Sequence, residues 1–227
     1  MKKFIIIGDG KLGSEIHNQT NWDIISRQKD NFNINDISSW DYFFNEYDII
    51  INCIANTNTY GNGKEEHINV NTKFVYDLVD FCNMKNKKLI HISTDYVYAN
   101  SERNVSEDDI PIHHNSWYAY SKLLADGYIE TRSNDFLICR LSHKTYPFEF
   151  NNGWIDVLTN ADYTPIICNL VIKLIRNENS GIINVGTDPK TIYELGLKSR
   201  FVEKSFAPSH VPKNVLMSLE KLKNIIN

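Results

Sequence analysis

Phe4-Ile5-Ile6-Ile7-Gly8-Asp9-Gly10-Lys11-Leu12-Gly13 decides how this chain folds. A run of β-prone apolar residues this dense has no face to spare for water, which places it inside a parallel sheet. Glycines follow at once in the order Gly-x-Gly-x-x-Gly, and Leu12 and Ile16 share one face of the helix they open. Strand, glycine turn and helix in that order form the context of a dinucleotide fingerprint. The first glycine permits the tight turn, the second lets backbone approach a pyrophosphate, and the third lets helix and strand pack closely. Backbone N–H groups at the helix start then face the phosphates. Gly8, Gly10, Lys11, Leu12 and Gly13 are therefore expected around a nucleotide.

Outward from this unit, β-rich runs alternate with helical patterns. Strands are expected at 23–27, 47–53, 88–92 and 135–139, and helices from Asn35 or Asp36 through Phe44, over 65–83, and around Tyr118 and Lys122. Such alternation marks βαβ units, so the expected fold class is α/β, a Rossmann-type doubly wound parallel sheet. Beyond Arg140 the alternation loosens. Residues 143–163 read as loop or lid, 168–176 as helix, 181–186 as a further strand, and Leu216, Leu219, Leu222 and Ile225 as one helical face. The expected division is a dinucleotide-binding domain over 1–142 and a reduced substrate-binding part over 143–227, interleaved where 181–186 returns to the sheet.

With 227 residues and 42% hydrophobic content, the chain can bury a sizeable core, which excludes global disorder. A net charge of −4 without a polybasic block argues against nucleic acid or an anionic membrane as partner. The 4 cysteines form no CxxC pair and read as buried apolar groups in a reducing compartment. The apolar run before Gly8 is too short for an export signal, and no stretch reaches transmembrane length, so a cytoplasmic protein is expected.

The chemistry sits at strand ends. The second strand closes on Ser26-Arg27 with no carboxylate before Asp30, which favours NADP(H) over NAD(H), because an arginine there suits a 2′-phosphate. Ser93-Thr94 ends the fourth strand, where a hydroxyl can hold a substrate carbonyl oxygen. Tyr118 and Lys122 lie one helical turn apart on one face. A lysine beside a phenol favours the phenolate and lowers the tyrosine pKa. His91 reads as a hydrogen-bonded core residue. His113 and His114 are adjacent, point apart and lack a third ligand, so no metal is expected.

These motifs resemble the extended short-chain dehydrogenase/reductase superfamily, and within it the dTDP-4-dehydrorhamnose reductases. The resemblance is carried by the glycine loop, by Ile51-Asn52-Cys53-Ile54-Ala55-Asn56-Thr57, by Ser93-Thr94-Asp95-Tyr96-Val97-Tyr98, by the stretch from Tyr118 to Asp126, and by Pro212-Lys213-Asn214-Val215-Leu216. It implies Thr94, Tyr118 and Lys122 as a catalytic triad, with Tyr118 as general acid and Lys122 also on the nicotinamide ribose. It implies Ala55, Asn56 and Thr57 along the cofactor, Asn71 near its nicotinamide end, and Asn33 near the adenine, where the family usually has Asp. Tyr96, Trp154 and Asn214 would join Thr94 on a nucleotide sugar.

Departures are the GxGxxG spacing in place of GxxGxxG, Val211 and Val215 in place of the Arg and Ser of the carboxy-terminal motif, and a shorter stretch between Arg140 and Thr164. The activity implied is NADPH-dependent reduction of a nucleotide-linked 4-keto-6-deoxy sugar, in a homodimer. The alternatives are a nucleotide-sugar epimerase or dehydratase that recycles its cofactor, and a non-catalytic NADP-binding regulatory subunit.

Overall fold

The isoleucines of the first strand, Phe4–Ile7 (β1), divide between two cores, Ile6 facing one and Ile5 with Ile7 the other. The same alternation recurs in Ile49–Asn52 (β3), where Ile49 and Ile51 oppose Ile50. A strand buried on both faces needs helices on both faces, and the structure, a computed structural model describing residues 2–101, 104–109, 111 and 116–226, supplies them. One core packs against helices Lys11–Thr20 (α1), Thr164–Arg176 (α7) and Glu220–Ile226 (α9). The other packs against Trp40–Phe44 (α3), Phe74–Met84 (α5) and Trp117–Arg132 (α6).

The sheet between them has 6 strands in the order β10-β5-β4-β3-β1-β2. Here β2 is Asp23–Ile25, β4 Lys88–Thr94, β5 Phe136–Leu141 and β10 Gly181–Val185. Every pairing is parallel, as the doubly wound reading requires. Strand order reverses between β1 and β3, and in open α/β sheets a ligand crevice forms outside the carboxyl ends at such a switch point.

Several element limits differ from the expectation, each for a local reason. β2 stops at Ile25 because Ser26 caps a short helix, Arg27–Asp30 (α2), by accepting from Lys29 N–H. The helix expected over 65–83 is Lys64–His67 (α4), then a π-helical turn over Ile68–Lys73, then α5. β4 and β5 each run two residues further, to Thr94 and Leu141, because they pair with each other to their ends.

The segment 143–163 is not simple loop. It contributes His143–Lys144 (β6), Asn152–Trp154 (β7), Leu158–Thr159 (β8) and Asp162–Tyr163 (β9). β6 pairs with β9, β8 with Lys190–Thr191 (β11), and β7 with Glu203–Ser205 (β12). Together with Ile192–Leu197 (α8) they enclose a small core of Phe148, Val157, Tyr163, Leu195 and Val202. Short strands paired across long sequence separations carry little local signal, which is why sequence pattern alone reads them as loop. Among the described residues no helix is long and apolar enough to cross a membrane.

Candidate active site

Two glycines of the opening motif are needed, each for a different reason. Gly8 sits at φ +102°, a conformation L side chains rarely adopt, and a Cβ there would lie 2.9 Å from Ile54 Cγ1. A Cβ on Gly13 would meet the Gly8 carbonyl oxygen at 2.0 Å, so α1 can approach the β1 turn only without one. Around Gly10 nothing lies within 4 Å of the added carbon, which would project into open space beside the helix start. Gly10 is the N-cap of α1 and provides no side-chain cap, and the first turn carries no acidic residue. The leading N–H groups of α1 are thus available to an anion.

A groove of about 820 Å³ opens at this turn, walled by Gly8, Gly10, Arg27, Asn33, Ala55 and Asn56 among others. A smaller cavity of about 250 Å³ continues it, bounded by Leu12, Thr57, Thr94, Tyr96, Tyr118 and Lys122. Cys53 and Ala55 line both. The two therefore form one trough across the carboxyl ends of β1, β3, β4 and β5, at the switch point.

Thr94, the last residue of β4, caps the following 3-10 turn by accepting from Tyr96 N–H at 3.2 Å. Its hydroxyl also hydrogen-bonds the Tyr118 phenol. Ser116 caps α6 through Ala119 N–H, fixing the helix start so that Tyr118 faces the strand tip. The Tyr96 ring meets the Tyr118 ring edge-on, with centroids 6.2 Å apart, and Tyr96 Oη bonds Tyr60 Oη at 2.6 Å.

The expectation that Lys122 lowers the Tyr118 pKa is not met. Burial pushes the phenol up to about 12, and the Thr94 hydrogen bond pulls it back only in part. Lys122 is buried one turn further on, with Nζ 2.9 Å from His91 Nε2 and 2.6 Å from the Ile92 carbonyl oxygen. Sharing a helix face brought the two side chains to the same trough, but the amine turns inward to β4 while the phenol stays at the strand tip. Tyr118 accordingly holds its proton at neutral pH.

Other expected residues stand further off. Lys11 reaches away from the groove, where its Nζ bonds Thr145 Oγ1 at 2.7 Å and pairs with Glu149. Asn71, in the π-helical turn, is fully buried. Its Oδ1 accepts from Asn56 N–H at 2.7 Å and its Nδ2 donates to the Asn56 carbonyl and to Ser121 Oγ, so it shapes the groove through Asn56. Trp154 packs on the small carboxy-terminal core rather than on the trough. Asn214 spends its amide on the Ser101 carbonyl oxygen and on Leu216 N–H, tying the chain tail to the loop after β4. His113 and His114 lie outside the described residues, and among those described no group of three or more His, Cys, Asp or Glu could hold a metal.

Asp95 and Lys144 line the smaller cavity and were not singled out from the sequence. Their signal was available, since a carboxylate directly after a strand-ending Ser-Thr pair and a lysine just past the fifth strand both fall at the ligand edge. Asp95 is 1% exposed, one of its oxygens has no hydrogen-bond partner among the described residues, and burial raises its pKa to about 7. An unfolded aspartate releases its proton near about 4. Asp95 therefore costs no stability below that pH and progressively lowers it as pH rises to about 7. Asp95→Asn is expected to match the parent at pH 4 and to exceed it by about 2–4 kcal/mol at pH 8, read by urea denaturation at both values.

The glycine turn and the trough, at the switch point of a parallel sheet, are those of a Rossmann-type α/β fold. More narrowly, the chain belongs to the family described as the RmlD substrate binding domain, whose model matches residues 1–149. In fold it is similar to a dTDP-4-dehydrorhamnose reductase from Clostridium acetobutylicum, 19% identical, with a TM-score of 0.84 over 99% of this chain and 92% of that one. A dTDP-4-dehydrorhamnose reductase from Bacillus anthracis, in complex with NADP, is 21% identical, with a TM-score of 0.82 over 99% and 93%. The Bordetella bronchiseptica enzyme WbmH, in complex with NAD+, is 15% identical, with a TM-score of 0.80 over 99% and 91%. Compared by sequence alone with curated proteins, the chain finds no match.

Proposed function

We propose that this chain is an NADPH-dependent reductase of a nucleotide-linked 4-keto-6-deoxy sugar. The observation that carries this reading is the shared wall of Cys53 and Ala55. A dinucleotide seated at the glycine turn would be held along it, toward Thr94 and Tyr118 on the wall of the smaller cavity. The residues present fit such a cofactor. Gly10 leaves room for the pyrophosphate, the α1 N-terminus offers uncapped donors, and Ala55, Asn56 and Thr57 line the remaining path. When bound, the nicotinamide supplies the hydride. Thr94 holds the ketone oxygen, and Tyr118 gives its proton to the alkoxide that forms. Holding carbonyl and cofactor together supplies a large part of the acceleration.

NADP(H) is favoured because the first carboxylate after the second strand is already engaged, Asp30 Oδ2 accepting from Ser26 N–H at 2.8 Å, while Arg27 lies on the groove wall. Arg27→Ala is expected to raise KM for NADPH about tenfold, the size of one lost charge-assisted hydrogen bond, and to leave KM for NADH unchanged. Steady-state kinetics with the two cofactors check it.

The function itself is tested by offering dTDP-, UDP- and GDP-linked 4-keto-6-deoxy sugars and following NADPH absorbance. Steady oxidation with one of them supports the reductase. Isomerisation without net oxidation would instead identify an epimerase, and tight NADPH binding without turnover a regulatory subunit.

A further inference from the structure

Two lysines line the smaller cavity, and only one of them has its amine engaged. Lys122 Nζ meets His91 Nε2 and the Ile92 carbonyl oxygen. Lys144 is held by its backbone alone. β6 pairs with β9 in the register Lys144 to Tyr163, and Thr164 Oγ1 donates to the Lys144 carbonyl oxygen at 3.0 Å. The side chain is partly buried, yet among the described residues no hydrogen bond or ion pair engages its Nζ. Desolvation depresses its pKa, so a cation is costly to keep at this place.

The charges around Lys144 do not settle the debt. Asp95 and Glu149 favour the ammonium through space, and Lys11 disfavours it. Glu149 is paired with Lys11 at 3.1 Å and is not on the cavity wall. Asp95 is on that wall, but burial raises it to about 7, so near neutral pH only part of it is charged. Its Oδ1 accepts from Thr94 Oγ1 at 3.2 Å, while Oδ2 has no hydrogen-bond partner among the described residues. His143, the neighbour in β6, is lowered to about 4 and stays neutral. The wall therefore offers an ammonium and, when Asp95 is protonated, a carboxylic acid. Both donate, and no described residue accepts from either.

We infer that Lys144 is a specificity residue whose ammonium receives an oxyanion of the sugar substrate, either its anomeric phosphate or a carboxylate on the ring. That the ligand is a sugar rests on the reductase reading. That it is an anion rests on the cavity wall alone. Lys144 is not on the wall of the larger groove, so the pyrophosphate of a cofactor at the glycine turn is not its partner. The cavity, about 250 Å³, falls below the usual range of about 300–1,000 Å³ for a whole bound ligand. What reaches Lys144 is thus the sugar ring and the groups attached to it. A desolvated ammonium binds such a group more strongly than a surface lysine does, because water competes less.

The test titrates the full-length chain, saturated with NADP+, with four probes by isothermal calorimetry. dTDP-, UDP- and GDP-glucose carry an anomeric phosphate, and UDP-glucuronic acid adds a ring carboxylate. Lys144→Met is expected to weaken binding about tenfold or more, the size of one charge-assisted hydrogen bond, and to leave NADP+ affinity unchanged. A loss shared by every probe that binds assigns the phosphate, and a loss confined to UDP-glucuronic acid assigns the carboxylate. Lys144→Arg keeps the charge and is expected to retain most of the affinity. The urea midpoint of Lys144→Met is expected to match or exceed that of the parent, since a desolvated cation is gone. A parent that binds none of the probes, or binds them no better than Lys144→Met, overturns the inference. So does a lowered urea midpoint with NADP+ affinity lost alongside, which would make the lysine a counter-ion to Asp95. None of these measurements needs turnover. The expected losses in a protein that oxidises no NADPH would remove the reductase reading and keep the anion site. Turnover with a substrate KM unaltered by Lys144→Met would do the reverse.

Discussion

Tyr118→Phe is expected to lower turnover about 10²–10⁴-fold, the range ascribed to a positioned general acid, while NADPH binds as before. The ring itself stays useful, because its edge contacts with Tyr96 and His67, at centroid distances of 6.2 and 6.3 Å, need no hydroxyl. What the variant loses is the proton that the phenol holds at neutral pH, its pKa being raised to about 12. The Thr94 hydroxyl remains, so the substrate carbonyl is still held but no proton reaches it. Single-turnover kinetics, with cofactor binding followed by fluorescence, separate the two effects. Turnover within twofold of the parent would remove Tyr118 from the acid role.

The largest effect on stability is expected at Arg140. Its Nε donates to Asp126 Oδ2 at 2.9 Å and its Nη1 to Tyr98 Oη, with side-chain exposures of 3% for Arg140 and 1% for Asp126. Among the described residues Asp126 Oδ1 already has no hydrogen-bond partner. Arg140→Met leaves the buried Asp126 carboxylate without its ion pair and hydrogen bond, which costs about 3–5 kcal/mol. Replacing both residues, Arg140→Met with Asp126→Leu, is expected to restore most of that loss, since the pair is expensive to desolvate in the first place. Urea denaturation of the single and double variants checks both statements. A single variant as stable as the parent would show that the pair is not closed in solution.

The amino-terminal half was legible because its signals are local. Consecutive isoleucines require a strand covered on both faces, and glycine spacing encodes a turn that closes within a few residues. Thr94, Tyr118 and the groove residues Gly8, Gly10, Arg27, Asn33, Ala55 and Asn56 fall where strand ends place them. The direction of the Lys122 side chain was not legible. Helical spacing fixes the face a residue leaves from, whereas its endpoint is set by His91 on a strand 31 positions away. Likewise Trp154 and Asn214 were placed by resemblance, and their surroundings are decided by β12 and by the Ser101 carbonyl, contacts that no periodicity reports.

The position of β10 has a bearing on how the chain comes off the ribosome. The strand that covers the outer edge of β5 is not synthesised until residues 181–185, some forty residues after β5 itself. Until then the nascent sheet presents a row of unpaired N–H and C=O groups, together with an apolar face awaiting α7 and α9. Such an edge is a template for pairing with another chain. The interval between β5 and β10 is thus a stretch of synthesis in which an edge of the sheet stands open to another chain.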